Sequence, residues 1–330
     1  MARRPGSCTQ LQQALAAFAA ATTLLFAGYY SALRVPSCAP ALPPGVCPAG
    51  CQADVAHPPR PIGPAGVPPA QITKLRKELF DGADPYGLLD TRCGDFATDS
   101  KYHDSSTLEV KMVHYVLDLL ENPILWVEVG SFIGRSAIKV ASEAKKMNLS
   151  TSILCADPFT GDTDMWLRHK DELKKGRYNE LHSDAFGSPR VYETFLANVR
   201  KAGHHDFILP LRSTGIVAMR LLHRMFKEER IKSLPAVVYL DSAREKDETL
   251  MELQLAWKVL ATPGVLFGSD WGNLAVRGDV IRFAIKLALP SLTLEELHRL
   301  GGARTAQPVP GLVVVSYGKG HWVLYKSPAQ

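Results

Sequence analysis

Four acids in this chain stand at the ends of apolar runs. Glu128 lies in "ILWVEV", Asp157 closes "SILCAD", Asp241 closes "AVVYLD" and Asp270 follows "VLFGS". A core has little use for an acid so placed, because a buried carboxylate without a partner is costly. Carboxylates gathered on one rim can accept hydrogen bonds from a diol, hold a hard cation or take up a proton. Beside the first of them, "WVEVGSFIGRSA" adds Gly130, Ser131, Gly134 and Ser136. Glycines let a backbone turn sharply and approach a ligand, and the helix start that follows offers free N–H groups to an anionic group. The dinucleotide fingerprint G-x-G-x-x-G is not met, since Gly130-Ser-Phe-Ile-Gly134 lacks the closely spaced first pair, and a nicotinamide cofactor is the weaker reading. A purely turn-shaping role explains the glycines but not Glu128 beside them.

These acids need elements to position them. Apolar runs at 124–129, 152–157, 207–211, 236–241 and 265–270 read as strands, and helical patterns lie at 135–146, 190–202, 214–229 and 247–260. Such alternation predicts a parallel sheet covered by helices on both faces. "GLVVVSYG" and "HWVLYK", separated by little more than Lys319-Gly320, add an antiparallel hairpin at the sheet edge. The expected fold is therefore α/β: a doubly wound, Rossmann-like, mostly parallel seven-stranded sheet finished by a C-terminal hairpin. Ligands of such sheets bind at the carboxyl ends of the strands, where the strand order switches. All four acids fall there.

The chain divides by composition into a tail and leader (1–35), a stalk (36–70) and a domain (71–330). Arg3 and Arg4 precede an uncharged stretch at 11–33, about the 20 residues that cross a bilayer. The charge bias predicts a single-pass, type II membrane protein, cytoplasmic at its N-terminus, with the domain in the lumen of the Golgi or endoplasmic reticulum. A cleaved signal peptide or an organelle transit peptide is the alternative, giving a secreted or organellar protein. The stalk is rich in proline and glycine and carries Cys38, Cys47 and Cys51, which suits disulfide chemistry in an oxidising compartment. Three cysteines leave one thiol free, or available to Cys93 or to a second chain, so a homodimer is one open arrangement. A zinc site there lacks nearby histidines. Asn148-Leu-Ser150 is an N-glycosylation sequon, meaningful for a lumenal glycoprotein. A net charge of +5 without a basic run interleaved by aromatics predicts no nucleic-acid partner.

Five ordered segments, "VEVGSFIGRSA", "LCADPFTGDTDMW", "VYETFLANVRKAG", "VVYLDSA" and "PGVLFGSDW", carry a resemblance. Across residues 108–326 the chain resembles the class I S-adenosylmethionine-dependent methyltransferases, in particular the group similar to macrocin O-methyltransferase. The resemblance implies a transferase whose cofactor, S-adenosyl-L-methionine, is bound by Glu128, Gly130, Ser131, Gly134 and Ser136. It implies that Asp157 binds the ribose hydroxyls and that Arg212, Ser213 and Thr214 lie near the adenine or methionine portion. It also implies catalytic roles for Asp241 and Asp270, holding Mg²⁺ or another divalent cation, with a small-molecule or glycan acceptor, most naturally a sugar hydroxyl.

Two departures bear on that last implication. Where the family commonly has a pair of acids after strand five, Ser269 stands in place of one. Where the family commonly reads Asp-x-Ser-His-x-Tyr after strand four, this chain reads Asp241-Ser-Ala-Arg244-Glu-Lys246. Arginine stays protonated and cannot act as a base. Arg244 suits an acidic acceptor or a solvated helix start, leaving Lys246, His321 or the metal to do acid-base work. The expected metal site is a weakened one, completed by water, Asn273 or the Ser269 hydroxyl. Residues 158–189 are long enough for a lid, with Trp166, Tyr178 and Phe186 able to stack on an acceptor. The rival readings are a lumenal binding domain of the same fold that no longer catalyses and, more remotely, a nicotinamide-dependent oxidoreductase.

The charge bias and the cysteine-bearing stalk make one expectation directly testable. A tag placed after Gln330 should be protected from protease in sealed microsomes and digested once detergent is added. Digestion without detergent would put the domain on the cytosolic side.

Overall fold

The computed structural model describes residues 70–87, 108–120, 124–167, 181, 188–242, 244–287, 291–293, 312–315 and 320–327. All belong to one unit, His57–Gln330. The leader at 11–33, the stalk cysteines, Cys93, Tyr178 and Phe186 lie outside the described residues.

The elements run α1 (Ala70–Phe80), α2 (Val110–Asp118), β1 (Ile124–Val129), α3 (Arg135–Lys146), β2 (Thr151–Asp157), α4 (Val191–Lys201), β3 (Ile208–Arg212), α5 (Gly215–Lys227), β4 (Val237–Leu240), α6 (Glu248–Val259), β5 (Gly264–Gly268), α7 (Leu274–Lys286), β6 (Ser291–Thr293), β7 (Leu312–Val315) and β8 (His321–Lys326). Residues 163–167 add a helical turn. The strands form one sheet in the order β3-β2-β1-β4-β5-β8-β7-β6. β1 to β5 pair in parallel, while β8 runs antiparallel to both β5 and β7.

The doubly wound fold is thus as the alternation of runs predicts, with two corrections. Among the described residues the sheet has eight strands rather than seven, and the C-terminal hairpin is not its edge. β6, only three residues long, pairs in parallel with β7 and takes the outermost place. A three-residue strand carries too little periodicity to be read from sequence.

Each strand of the sheet core is buried on both faces, and period-two alternation sorts its side chains. Ile124 and Trp126 of β1, Ile153 and Cys155 of β2, and Val237 and Tyr239 of β4 face α2, α3 and α4. Leu125, Val127 and Val129, with Leu154, Val238 and Leu240, face α1, α5, α6 and α7. Glu128 follows Trp126 by two residues, so the pleat turns it toward α3. The helices supply matching stripes: Ala137, Val140 and Ala144 on α3, and Met219, Leu222 and Met225 on α5. Thr214 caps α5 by accepting from the Val217 N–H at 3.4 Å, and Asn273 caps α7 by accepting from Ala275 N–H at 2.9 Å and from Val276 N–H at 3.4 Å.

Trp126 is fully buried at the sheet centre, edge-to-face with Phe267 at 5.4 Å between centroids. Its indole N–H has no hydrogen-bond partner among the described residues. Trp126→Ala is expected to cost about 3–5 kcal/mol in urea unfolding, the range for an aromatic truncated in a core. Trp126→Phe should cost much less, since it keeps a ring and discards an unsatisfied donor. Equal losses would mean that the indole N–H is paired after all.

Candidate functional site

The register gathers the acids. Val129 lies opposite both Ala156 and Leu240, and Leu240 lies opposite Gly268, so the residues that follow form one row across the rim: Gly130, Asp157, Asp241 and Ser269. Backbone hydrogen bonds continue past the strands into this row, from Gly130 N–H to Ala156 O at 3.0 Å and from Asp241 N–H to Val129 O at 2.9 Å. The strand order reverses between β1 and β4, the switch point at which ligands of such sheets bind.

Gly130 is required there. Its φ is +85°, and a Cβ would collide with the carbonyl of Asp241. Gly134, at φ +84°, opens α3, and a Cβ on it would stand 2.9 Å from Phe195 Cδ2. The N-cap of α3 is Gly134, which has no side chain to cap the first turn, and helix N-termini favour anions.

Asp157, 8% exposed, ties the two loops of the site together. Its carboxylate accepts the Phe132 N–H at 2.8 Å and also the Phe159 N–H. Burial raises its pKa, and the backbone donors of Phe132, Phe159 and Ser131 oppose that rise. Ser213 joins the same corner, its N–H donating to Asp157 O at 3.1 Å. The carboxylate therefore shapes the glycine loop, whatever else it binds.

Glu128 behaves differently from the sequence expectation. It is fully buried and accepts a hydrogen bond from Ser136 Oγ on α3. Ser131 and Ser136 are buried as well. Glu128 and Ser136 thus brace β1 against the start of α3. Burial is the largest cause lifting the Glu128 pKa to about 8, against the Ser136 bond and with Asp241 and Asp157 adding to the rise.

On the other side of the switch point, Asp241 accepts from the Ser269 hydroxyl and from Tyr239 OH at 3.1 Å. Burial carries its pKa to about 6. Asp270 adopts φ 57° and accepts Arg244 Nε at 2.8 Å. The same guanidinium reaches Asp162, on the loop after β2, through its Nη1 at 3.1 Å. Burial works against the Arg244 charge, but Asp270, Asp162 and Asp241 outweigh it and raise its pKa. Asp241, Asp270 and Arg244 are therefore neighbours, as the sequence requires of a catalytic group.

The expected metal site would rest on two acids, Asp241 and Asp270, which stand on neighbouring strand ends. Among the described residues no group of three or more His, Cys, Asp or Glu side chains is arranged to hold a metal ion. Asp270 faces a guanidinium, the Ser269 hydroxyl donates to Asp241, and Asn273 Oδ1 caps α7. The two side chains expected to complete the shell are occupied in holding the fold.

Other candidates separate clearly. His321 is fully buried in β8, while Lys246 is exposed. Trp166 is 39% exposed and donates its indole N–H to Thr160 O at 2.8 Å. Arg212 stacks over the Tyr192 ring at 5.5 Å. Glu252 was not anticipated. It is 7% exposed on α6, accepts from Ser242 Oγ at 2.7 Å, and burial raises its pKa to about 7. Asp241, Ser242, Glu252, Ser269 and Asp270 line a small pocket. The sequence held a signal for it: Glu252 occupies the apolar stripe Thr249, Leu253, Ala256 that α6 buries.

No known sequence family and no curated protein matches the chain. Solved structures do resemble it. The O-methyltransferase TomG from Streptomyces achromogenes, involved in tomaymycin synthesis and solved with SAM, has 13% identity over 66% of this chain and 79% of its own, with a TM-score of 0.40. The O-methyltransferase from Bacillus cereus in complex with SAH has 12% identity over 77% of this chain and 97% of its own, with a TM-score of 0.38. The calicheamicin methyltransferase CalS11 has 16% identity over 68% of this chain and 80% of its own, with a TM-score of 0.39. Likenesses this loose assign no activity.

The buried acids have a consequence for pH. Between the ordinary carboxyl value of 4.5 and about 8, the folded chain keeps a proton on Glu128 that the unfolded chain has released. Folding stability therefore falls as pH rises through that window and is flat below it. Urea unfolding of the parent should show this decline, and Glu128→Gln, which can still accept from Ser136, should flatten it. Asp241 and Glu252 act in the same direction and will leave a residual slope. Identical slopes in parent and variant would show that Glu128 is ionised in the fold.

Proposed function

We propose that this chain is an S-adenosylmethionine-dependent O-methyltransferase acting on a hydroxyl of a sugar, in a glycan or a glycoside, from the lumenal side of a membrane. The observation that carries the reading is the switch point itself. A Gly130 loop pressed against the Asp241 backbone leads into a helix start whose N-cap is glycine, with Asp157 beside it. These residues fit the cofactor: the α3 N–H groups suit its carboxylate, and a rim acid suits its ribose diol. When bound, the cofactor supplies an electrophilic methyl group on a sulfonium.

The chain's own residues would do the rest. Methyl transfer is an in-line displacement, so an acceptor hydroxyl must be held in line and relieved of its proton. Asp241, with a pKa of about 6, is ionised at neutral pH and still basic enough to share that proton. Arg244 beside it offers a fixed positive charge to an acceptor oxygen or to an acidic sugar. Trp166 offers an exposed ring to a sugar face.

The lumenal placement is supported by the arginine-flanked stretch at 11–33 and by the exposed Asn148 sequon. Asn148 also has a local reason to be there, since it follows α3 at φ 55°, a conformation asparagine tolerates at helix ends. Among the described residues no helix is long and apolar enough to cross a membrane. A second reading, a cofactor-binding domain without catalysis, is favoured by one observation: the position where the resembled family carries histidine is Arg244, and it is already paired with two acids.

Calorimetry with S-adenosylhomocysteine tests the cofactor assignment. The full chain should bind it, and Asp157→Ala should weaken binding tenfold or more, since charge-assisted hydrogen bonds contribute about 1.5–3 kcal/mol each. A chain that ignores S-adenosylhomocysteine and binds a nicotinamide dinucleotide would overturn both readings.

A further inference from the structure

Two carboxylates converge on one side chain between the loop after β2 and the loop after β5. Arg244 Nε donates to Asp270 at 2.8 Å, its Nη1 donates to Asp162 at 3.1 Å, and Asp241 lies close enough to contribute to its charge state. A pair of carboxylates can hold a hard cation that keeps several of its waters. Here the oxygens that a cation needs are already engaged. Asp241 accepts from Ser269 and Tyr239, Asp162 accepts the Met165 N–H at 2.7 Å with its second oxygen, and Asn273 is a helix cap. Mg²⁺ demands a near-octahedral shell of oxygens at about 2.0–2.1 Å, which a planar guanidinium wedged between the acids denies.

We infer that Arg244 stands in the place of a divalent cation: its guanidinium is the fixed positive charge of this rim, joining the loop after β2 to the loop after β5, and the site works without a bound metal ion. The inference concerns the charge of the rim and does not depend on methyl transfer. Arginine suits the role because its fork addresses two carboxylates at once and it never loses its proton. In this place it is a positioning residue. It holds Asp162, and with it the helical turn at 163–167, against the strand ends.

Mn²⁺ binding to the full-length chain decides the matter, because the paramagnetic resonance signal of the free aqua ion is lost on binding and needs no acceptor. The parent should show no saturable Mn²⁺ site. Arg244→Met removes the charge and keeps much of the bulk, so it should uncover one Mn²⁺ site of roughly millimolar affinity, the weak end for oxygen ligands. That site should vanish when Asp270→Asn is added. Arg244→Lys, which keeps a cation, should behave like the parent, and melting curves of both variants verify that they fold. A parent that binds one Mn²⁺, with the binding lost in Asp241→Asn, would overturn the inference. So would an Arg244→Met protein that folds and gains no site, since the acids would then not converge without the arginine.

Discussion

The backbone carbonyl of Asp241 lies where any side chain on residue 130 would have to be. That contact fixes the spacing of β1 and β4 at the point where the strand order reverses, and the rest of the rim is built around it. With Gly130 at positive φ the chain can leave β1, pass over β4 and enter α3 within a few residues. A larger residue would push the two strand ends apart and carry Asp157 away from Asp241.

The price of gathering acids at this point is desolvation. Glu128, Asp241 and Glu252 all sit where burial is the largest influence on their protonation. The fold offsets part of the cost with hydroxyl donors: Ser136 for Glu128, Ser269 and Tyr239 for Asp241, and Ser242 for Glu252. Asp157 is served by backbone N–H groups instead, and so becomes the clasp of the glycine loop. Each acid is thereby given different donors, and with them a different balance against burial.

Arg244 completes the electrostatics from outside. Its side chain is 36% exposed and bridges Asp162 and Asp270, which are 28% and 17% exposed. An ion pair this open contributes little to stability, because water screens it and long side chains lose freedom. Its consequence is geometric: two loops that share no strand pairing are held together by one planar group.

The sequence alone determined the sheet and the rim. Apolar runs of the right length alternating with helical patterns, four of the five with an acid at their end, read as parallel strands buried on both faces, and parallel pairing aligns their ends. β1 and α3 begin and end where the sequence patterns predict, because Gly130 and Gly134 punctuate them. Helix α7 and the short β6 were not legible, the first because Gly278 and its flanking charges blur its apolar stripe, the second because three residues make no period. Only the tertiary structure decided what each acid faces. The pleat turned Glu128 to Ser136, α6 brought Glu252 to Ser242, and the loop after β2 brought Asp162 to Arg244 across 82 residues of chain. Sequence spacing sets which end of a strand a residue occupies. Whether its carboxylate meets a hydroxyl, a backbone N–H or a guanidinium depends on contacts between segments far apart in the chain, and no local pattern encodes them.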